Sequence, residues 1–500
     1  MKKSKKIFAA AMALATVIST ATACNDGNTA SGGDATSAPE TTTTEAPRET
    51  VKEDENVNSA VESALENVSE DYKGIKVDRK VVWMAWNNWG PQENSPEVTM
   101  FKSLYGTPTE KPAGFDSIPD ENVFCIISSP YADRYVDLAK RVQADDSPDV
   151  YPFEICYYPY GVYKNLFQPV DDLFNFEADD WADYKDVIDM FEWGGKNYCP
   201  IMNLNINSLL WYRKSVVEEA GFDDPWELFE KGEWTWEKFL DMCRKFTDAE
   251  NKMWAIDGYQ MADNLVLTTG TPLVSLTDGK LVSNLYDANV EKALDFITNF
   301  DDSKEGLKYP KEIENNWNPS YMQWVNGKTL FFDDGTWRYD EHWYKYKKLK
   351  KWDDDEINFV PWPQMDDSEE YYQGMKQDSF LLVAGSKNKE GYQGWVFANL
   401  IAGKDPDIKA AGRQQQKDTY DWTDMLLDRL DTLRDPETFS AVFDFKNGIG
   451  PDIADTTKGD CIVEQLTKEP LVNGTSYTQL RESNQGQITA RIEEMNATVQ

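Results

Sequence analysis

Short apolar runs alternate with amphipathic stretches from about residue 80 onward, and this alternation sets the first expectations. Lys80-Val81-Val82-Trp83-Met84-Ala85 reads as a first strand. Ser129-Pro130 then opens a stretch in which Tyr131, Tyr135, Leu138, Ala139 and Val142 recur at helical spacing. Ser147-Pro148-Asp149-Val150-Tyr151 starts a second short strand. Thr235 stands as an N-cap before a stripe of Trp236, Phe239, Leu240 and Cys243, with Glu237, Asp241 and Arg244 on the outer face. Leu330-Phe331-Phe332 and Phe380-Leu381-Leu382-Val383-Ala384 read as further buried strands. Tyr392, Trp395, Val396 and Leu400 mark another helix, and a last one is expected over Trp422–Leu433. Strands alternating with helices over more than 400 residues predict an α/β architecture.

The N-terminus carries a different pattern. Met1-Lys2-Lys3-Ser4-Lys5-Lys6 is cationic, and the apolar stretch Ile7–Ile18 behind it is too short to span a bilayer comfortably. Small residues follow, Ser19-Thr20-Ala21-Thr22-Ala23, then Cys24. This is the layout of an export signal over 1–23, and Ala21-Thr22-Ala23-Cys24 resembles a bacterial lipoprotein cleavage box. Ala21 stands where such boxes usually carry Leu. Plain secretion, with Cys24 unmodified, is the alternative. Residues 24–75 are polar, with Thr41-Thr42-Thr43-Thr44 and many Glu, and are expected to form a disordered tether behind a lipidated Cys24.

Composition excludes several activities. The 500 residues carry 88 acidic and 51 basic side chains, a formal net charge of −37, which repels phosphate backbones and argues against nucleic acid as a partner. The single histidine, His342, lies in Tyr339-Asp340-Glu341-His342-Trp343, with no second imidazole for a zinc site and no G-x-S-x-G for a hydrolase. No phosphate-binding glycine loop is present. The acidic run Asp353-Asp354-Asp355-Glu356 lacks calcium-loop spacing. Neither a metal nor a cofactor is expected. Cysteines such as that in Phe124-Cys125-Ile126 read as small buried hydrophobes.

Several short motifs occur in a telling order. Ser147-Pro148-Asp149-Val150 is similar to a G-x-P-D-V strand entry, and Phe167-Gln168-Pro169-Val170-Asp171-Asp172 to an L-x-P-L-D turn. Tyr198-Cys199-Pro200 stands for Y-G-[IL]-P. The densest match runs from Leu210-Trp211-Tyr212-Arg213-Lys214 through Ala220-Gly221-Phe222-Asp223-Asp224-Pro225 to Trp234-Thr235-Trp236-Glu237-Lys238-Phe239. Asn326-Gly327-Lys328-Thr329-Leu330, Gly335-Thr336-Trp337, Val360-Pro361-Trp362-Pro363-Gln364 and the segment Ala384–Trp395 complete the series. Together these resemble the extracellular solute-binding proteins that feed ABC importers, in the carbohydrate-binding branch that includes maltose-binding proteins. Arg213 departs from the Asn usual in that family, and 412–500 matches nothing in the pattern.

The resemblance implies a two-lobed clamp joined by hinge strands, with the ligand held between the lobes. By analogy, 76–200 and 331–378 are expected to build the first lobe, and 201–330 and 379–500 the second. It further implies an oligosaccharide or other small solute as ligand, ABC permease subunits as partners, a monomer, and a location on the outer face of the bacterial cytoplasmic membrane, held by the lipid anchor. No chemistry is implied.

A sugar presents flat C–H faces and a rim of hydroxyls, so its site wants aromatic rings and planar polar side chains. Such mixtures follow the expected strands, where open α/β sheets bind ligands. Trp86, Asn87 and Trp89 follow the first strand, and Glu154, Tyr157 and Tyr160 the second. Asp334 and Trp337 follow Leu330–Phe332. Gln377 and Asp378 precede the Phe380 run, and Asn203, Asn205 and Asn207 alternate so as to share one face of a crossing strand, or else bond within turns. Three alternatives stay open: a glycoside hydrolase using paired carboxylates, a polysaccharide-docking module with an open aromatic platform, and an amino-acid or peptide receptor using Arg134, Arg213 or Arg338.

Overall fold

A computed structural model describes residues 52–86, 89–258, 260–301, 304–310, 321–435, 437–454 and 461–499. The export signal, Cys24 and Asn87 lie outside these residues.

The first lobe is organised around β1 (Val81–Trp86), whose six residues are all buried. A strand covered on both faces needs an unbroken apolar run, which is what this stretch supplies. It pairs in parallel with β2 (Phe124–Ser129), from Val81 opposite Phe124 to Trp86 opposite Ser129, and on its other edge with β3 (Val150–Pro152). Asp149, at the entry to β3, is fully buried and accepts from Val82 N at 2.8 Å and Ser386 Oγ at 2.8 Å. The Ser129–Pro130 signal starts a 3₁₀ turn over Tyr131–Asp133 before the helix Arg134–Gln143. Ser129 bonds Asp137 at 2.7 Å.

The chain crosses on β4 (Asn203–Ile206) and enters the second lobe at β5 (Leu209–Arg213). There Thr235 caps the helix Trp236–Phe246 through Lys238 N, and the stripe Trp236, Phe239, Leu240, Cys243 is buried as its spacing requires. Next come β6 (Trp254–Gly258) and the hairpin of β7 (Val274–Thr277) with β8 (Lys280–Ser283), whose turn residues Asp278 and Gly279 both take positive φ. Then β9 (Thr329–Asp334) and β10 (Ile357–Val360) complete a sheet of order β10-β5-β9-β6. Return to the first lobe is by β11 (Tyr372–Asp378) into β12 (Phe380–Leu382), which closes the first sheet as β12-β3-β1-β2. A third sheet, β13-β11-β4, lies at the crossing, with β13 (Ser440–Val442) on its edge.

This pairing divides the chain differently from the expectation. Residues 329–360 belong with the second lobe, because β9 lies antiparallel to β5, Leu209 opposite Asp334. Residues 380–404 belong with the first, because β12 pairs β3 and the helix Lys389–Lys404 packs on Pro96–Tyr105. That helix is buried on nearly all sides, and Gly394 lets the Tyr105 ring approach where a Cβ would stand 2.9 Å away.

The tether is also shorter than 24–75. Asp54 caps a helix over Glu55–Leu65 that buries Val57, Ala60, Val61 and Ala64 against the helices Pro96–Tyr105 and Pro406–Tyr420. A polar average hid that apolar face. The unmatched C-terminal stretch folds as helices over Asp424–Arg434, Ile462–Asn473 and Tyr477–Asn496. The last bonds the second lobe through Asn496, which exchanges hydrogen bonds with the Leu281 backbone at 2.9 and 2.8 Å. The five described cysteines are all buried and free.

Candidate functional site

A cleft of ≈ 920 Å³, part of it open to solvent, lies between the lobes. From the first lobe it receives Trp86, at the end of β1, and Phe153 to Cys156, just after β3. The second lobe contributes Asn207, Gln260, Asp263 and Leu267. Its floor is β11 at Met375–Gln377, and Phe443, Asp444, Lys446 and Asn447 form a further wall. The first-lobe groups come from the carboxyl ends of parallel strands, where an open sheet leaves a crevice.

Trp86 is 6% exposed. It stacks on Trp89 with ring centroids 5.8 Å apart and planes within 5°, and meets Tyr131 edge-on. Behind these rings the Arg134 guanidinium sits 3.6 Å from the Tyr131 ring centre and forks onto Glu154 at 2.8–3.0 Å. Tyr151 donates to the same carboxylate at 2.9 Å. Glu154 thus lines the cleft with its oxygens already engaged.

Across the cleft, the Asn207 carboxamide donates to Asn264 Oδ1 at 3.1 Å and Gln260 Oε1 at 3.4 Å. Asp263 pairs with Lys446, and the Asp444 carboxylate accepts from the amides of Leu273, Val274 and Lys446 at 2.9–3.2 Å. Burial still pushes Asp444 up to about 6. On the floor, Gln377 is 4% exposed, and neither atom of its carboxamide has a hydrogen-bond partner.

The other anticipated residues have different surroundings. Asn205 and Asp378 are hinge groups: Asp378 accepts from Asn203 at 3.0 Å and Asn205 at 2.6 Å, and Arg434 donates to Asn205 at 2.8 Å. Burial raises the Asp378 carboxyl, opposed by Lys376. Tyr157 stacks on Tyr135 at 3.6 Å inside the first lobe, and Tyr160 packs against Arg491 of the last helix. Asp334 is buried and paired to Arg338 at 2.6 Å, while Trp337 is half-buried with that guanidinium 4.0 Å from its ring centre. None of these six lines the cleft, nor does Trp89. Of the three alternating asparagines, Asn207 is the one that does. Gln260, Asp263 and the wall from Phe443 to Asn447 gave no sequence signal, since residues far apart in the chain that come together only in the fold share no periodicity. Among the described residues no cluster of His, Cys, Asp or Glu could hold a metal ion, and no helix is long and apolar enough to cross a membrane.

Two α/β lobes, a hinge sheet between them and a cleft walled by both define a two-lobed clamp. The model of the family described as bacterial extracellular solute-binding protein matches residues 126–416, and the chain belongs to that family. Solved structures share its fold. An ABC substrate-binding protein from Listeria monocytogenes, in complex with cycloalternan, superposes with a TM-score of 0.55 at 14% identity, covering 84% of this chain and 99% of its own. The sugar-binding protein MalE from Xanthomonas citri gives 0.55 at 15%, covering 84% and 98%. The galacto-N-biose/lacto-N-biose I-binding protein from Bifidobacterium longum gives 0.55 at 11%, again over 84% and 98%. No curated protein matches the chain by sequence.

Proposed function

We propose that this protein is an extracytoplasmic substrate-binding lipoprotein that captures a carbohydrate, an oligosaccharide by its family likeness, and delivers it to an ABC permease. The observation that carries this reading is the make-up of the cleft. Rings of Trp86, Phe153 and Phe443 alternate with carboxamides of Asn207, Gln260, Gln377 and Asn447. Aromatic faces suit the apolar faces of a sugar ring, and a carboxamide both donates to and accepts from hydroxyls. Fold relatives solved in complex with cycloalternan and with lacto-N-biose support the same ligand class. The cleft carboxylates are committed elsewhere, Glu154 to Arg134, Asp263 to Lys446 and Asp444 to backbone amides, which disfavours hydrolysis by a free carboxylate pair. Export by the N-terminal signal, acylation at Cys24 and action as a monomer complete the proposal.

The test is a thermal-shift series against saccharides, amino acids and short peptides. A saccharide present at 100 times its Kd should stabilise the folded state by about 2.7 kcal/mol and be recovered intact. Cleaved saccharide would favour a hydrolase. A shift with amino acids or peptides alone would keep the clamp and sink the carbohydrate assignment. For the anchor, Cys24→Ser should move the protein from the membrane fraction to the medium, and an unchanged distribution would remove lipidation from the proposal.

A further inference from the structure

The wall Phe443–Asn447 lies beyond the family match, which ends at 416, yet it both lines the cleft and ties the two lobes together. On the first-lobe side the rings of Phe443 and Phe445 lie 4.9 and 5.2 Å from that of Phe191. Gly448 presses so closely on Tyr158 that a Cβ there would stand 1.9 Å from the Tyr158 carbonyl oxygen. On the second-lobe side, Asp444 accepts from Leu273 N and Val274 N, and Phe445 N donates to the Val274 carbonyl at 2.9 Å. The segment is therefore a strap held at both ends.

At this strap and the floor beside it, the Gln377 carboxamide is unsatisfied, and the Asn447 carboxamide, which donates to Glu464, is unsatisfied at its oxygen. Gln377 is 4% exposed with neither amide atom bonded, and the buried Oδ1 of Asn447 also lacks a partner. Buried polar groups are nearly always paired; unpaired ones occur elsewhere in the fold too, but Gln377 and Asn447 are the two that line the cleft, where an arriving ligand can pair them. We propose that Gln377 and Asn447 form a saccharide subsite, half of it supplied by the strap, that takes an uncharged ring with neighbouring hydroxyls. One hydroxyl donates to Gln377 Oε1 while the next accepts from Gln377 Nε2. Asn447 Oδ1 accepts from a third, and the Phe443 ring offers an apolar face. This inference rests on the carbohydrate reading.

The purified full chain would be exposed to hydrolysates of starch, xylan and β-glucan, the retained saccharides identified by mass spectrometry, and their affinities measured by calorimetry. Gln377→Met and Asn447→Ala should each weaken a saccharide retained by the wild type by tenfold or more. Gln377→Met should in addition raise the melting temperature of the unliganded protein, because an unsatisfied buried amide is replaced by an apolar chain of similar volume. A structural glutamine would lower it. If the wild type retains a saccharide and both variants bind it within twofold of wild type, or if Gln377→Met lowers the melting temperature, the subsite is wrong and the carbohydrate reading stands. If the wild type retains no saccharide from any hydrolysate, the carbohydrate reading falls and the subsite with it.

Discussion

Glu154 separates packing from recognition. Its side chain and that of Arg134 are 2% and 1% exposed, joined by a fork with contacts of 2.8–3.0 Å. Truncation by Glu154→Ala strands a buried guanidinium that keeps the Tyr131 carbonyl and the Tyr135 hydroxyl at 2.8 Å, and it removes the acceptor for Tyr151. Breaking one side of a buried pair costs about 3–5 kcal/mol. Urea denaturation followed by tryptophan fluorescence should show that loss. The double variant Glu154→Leu with Arg134→Met should recover most of it, since an apolar pair of similar volume is often neutral against a buried ion pair. Saccharide affinity of the folded fraction should change little in the double variant if Trp86 is still held by Trp89 and Tyr131. The reasoning is refuted if Glu154→Ala unfolds within about 1 kcal/mol of wild type while losing its saccharide, for the carboxylate would then be a ligand group.

Other consequences are as direct. Burial pushes Asp333 from 3.8 up to about 8, so the folded state keeps a proton that the unfolded chain has lost. Stability should therefore fall as pH rises from about 4 to 8, by up to ~1.4 kcal/mol per unit, and level off above. Asp333→Asn should flatten the dependence of the urea midpoint on pH, and coincident slopes would count against a protonated Asp333. Gly258 takes φ +135° and sits where a Cβ would lie 2.3 Å from the Asp333 carbonyl oxygen. Gly258→Ala should cost on the order of 3 kcal/mol in the same assay, and a neutral result would mean that the two strands can part. Trp86→Leu keeps an apolar side chain at the end of β1 but removes the ring face, so saccharide affinity should drop roughly tenfold. Unchanged affinity would take Trp86 out of the site.

What the sequence made legible follows the range over which each signal acts. Elements fixed by local pattern emerged: the strand β1, the Thr235 cap, and the stripe from Trp236 to Cys243. Assignment of strands to lobes did not, because pairing is a long-range choice. Whether β9 lies beside β5 or beside β1 depends on surfaces hundreds of residues apart, and both neighbours are apolar enough to accept it. The helix over Glu55–Leu65 was concealed by composition, since four buried small apolar residues do not lift the average of a polar stretch.

The candidate site divides along the same line. Trp86 and Glu154 could be named because they follow strands, and that rule needs only local information. The rule also nominated Asp334 and Trp337, which Arg338 occupies through an ion pair and a ring contact. An arginine four residues along was visible in the sequence, and its ion pair with Asp334, across the turn that follows β9, is the reason an acid at the strand end became structural. The strap is the opposite case. Its proposed ligand-facing character rests on two facts with no sequence signature, that Gln377 and Asn447 line one cleft and that no protein group pairs the Gln377 carboxamide or the Asn447 Oδ1 there. A family resemblance ending before the strap does not supply those facts either. Specificity in this clamp is therefore expected to be set partly by its least family-like segment, and exchanging Phe443–Asn447 for another sequence should alter which saccharide is held more than whether the lobes fold.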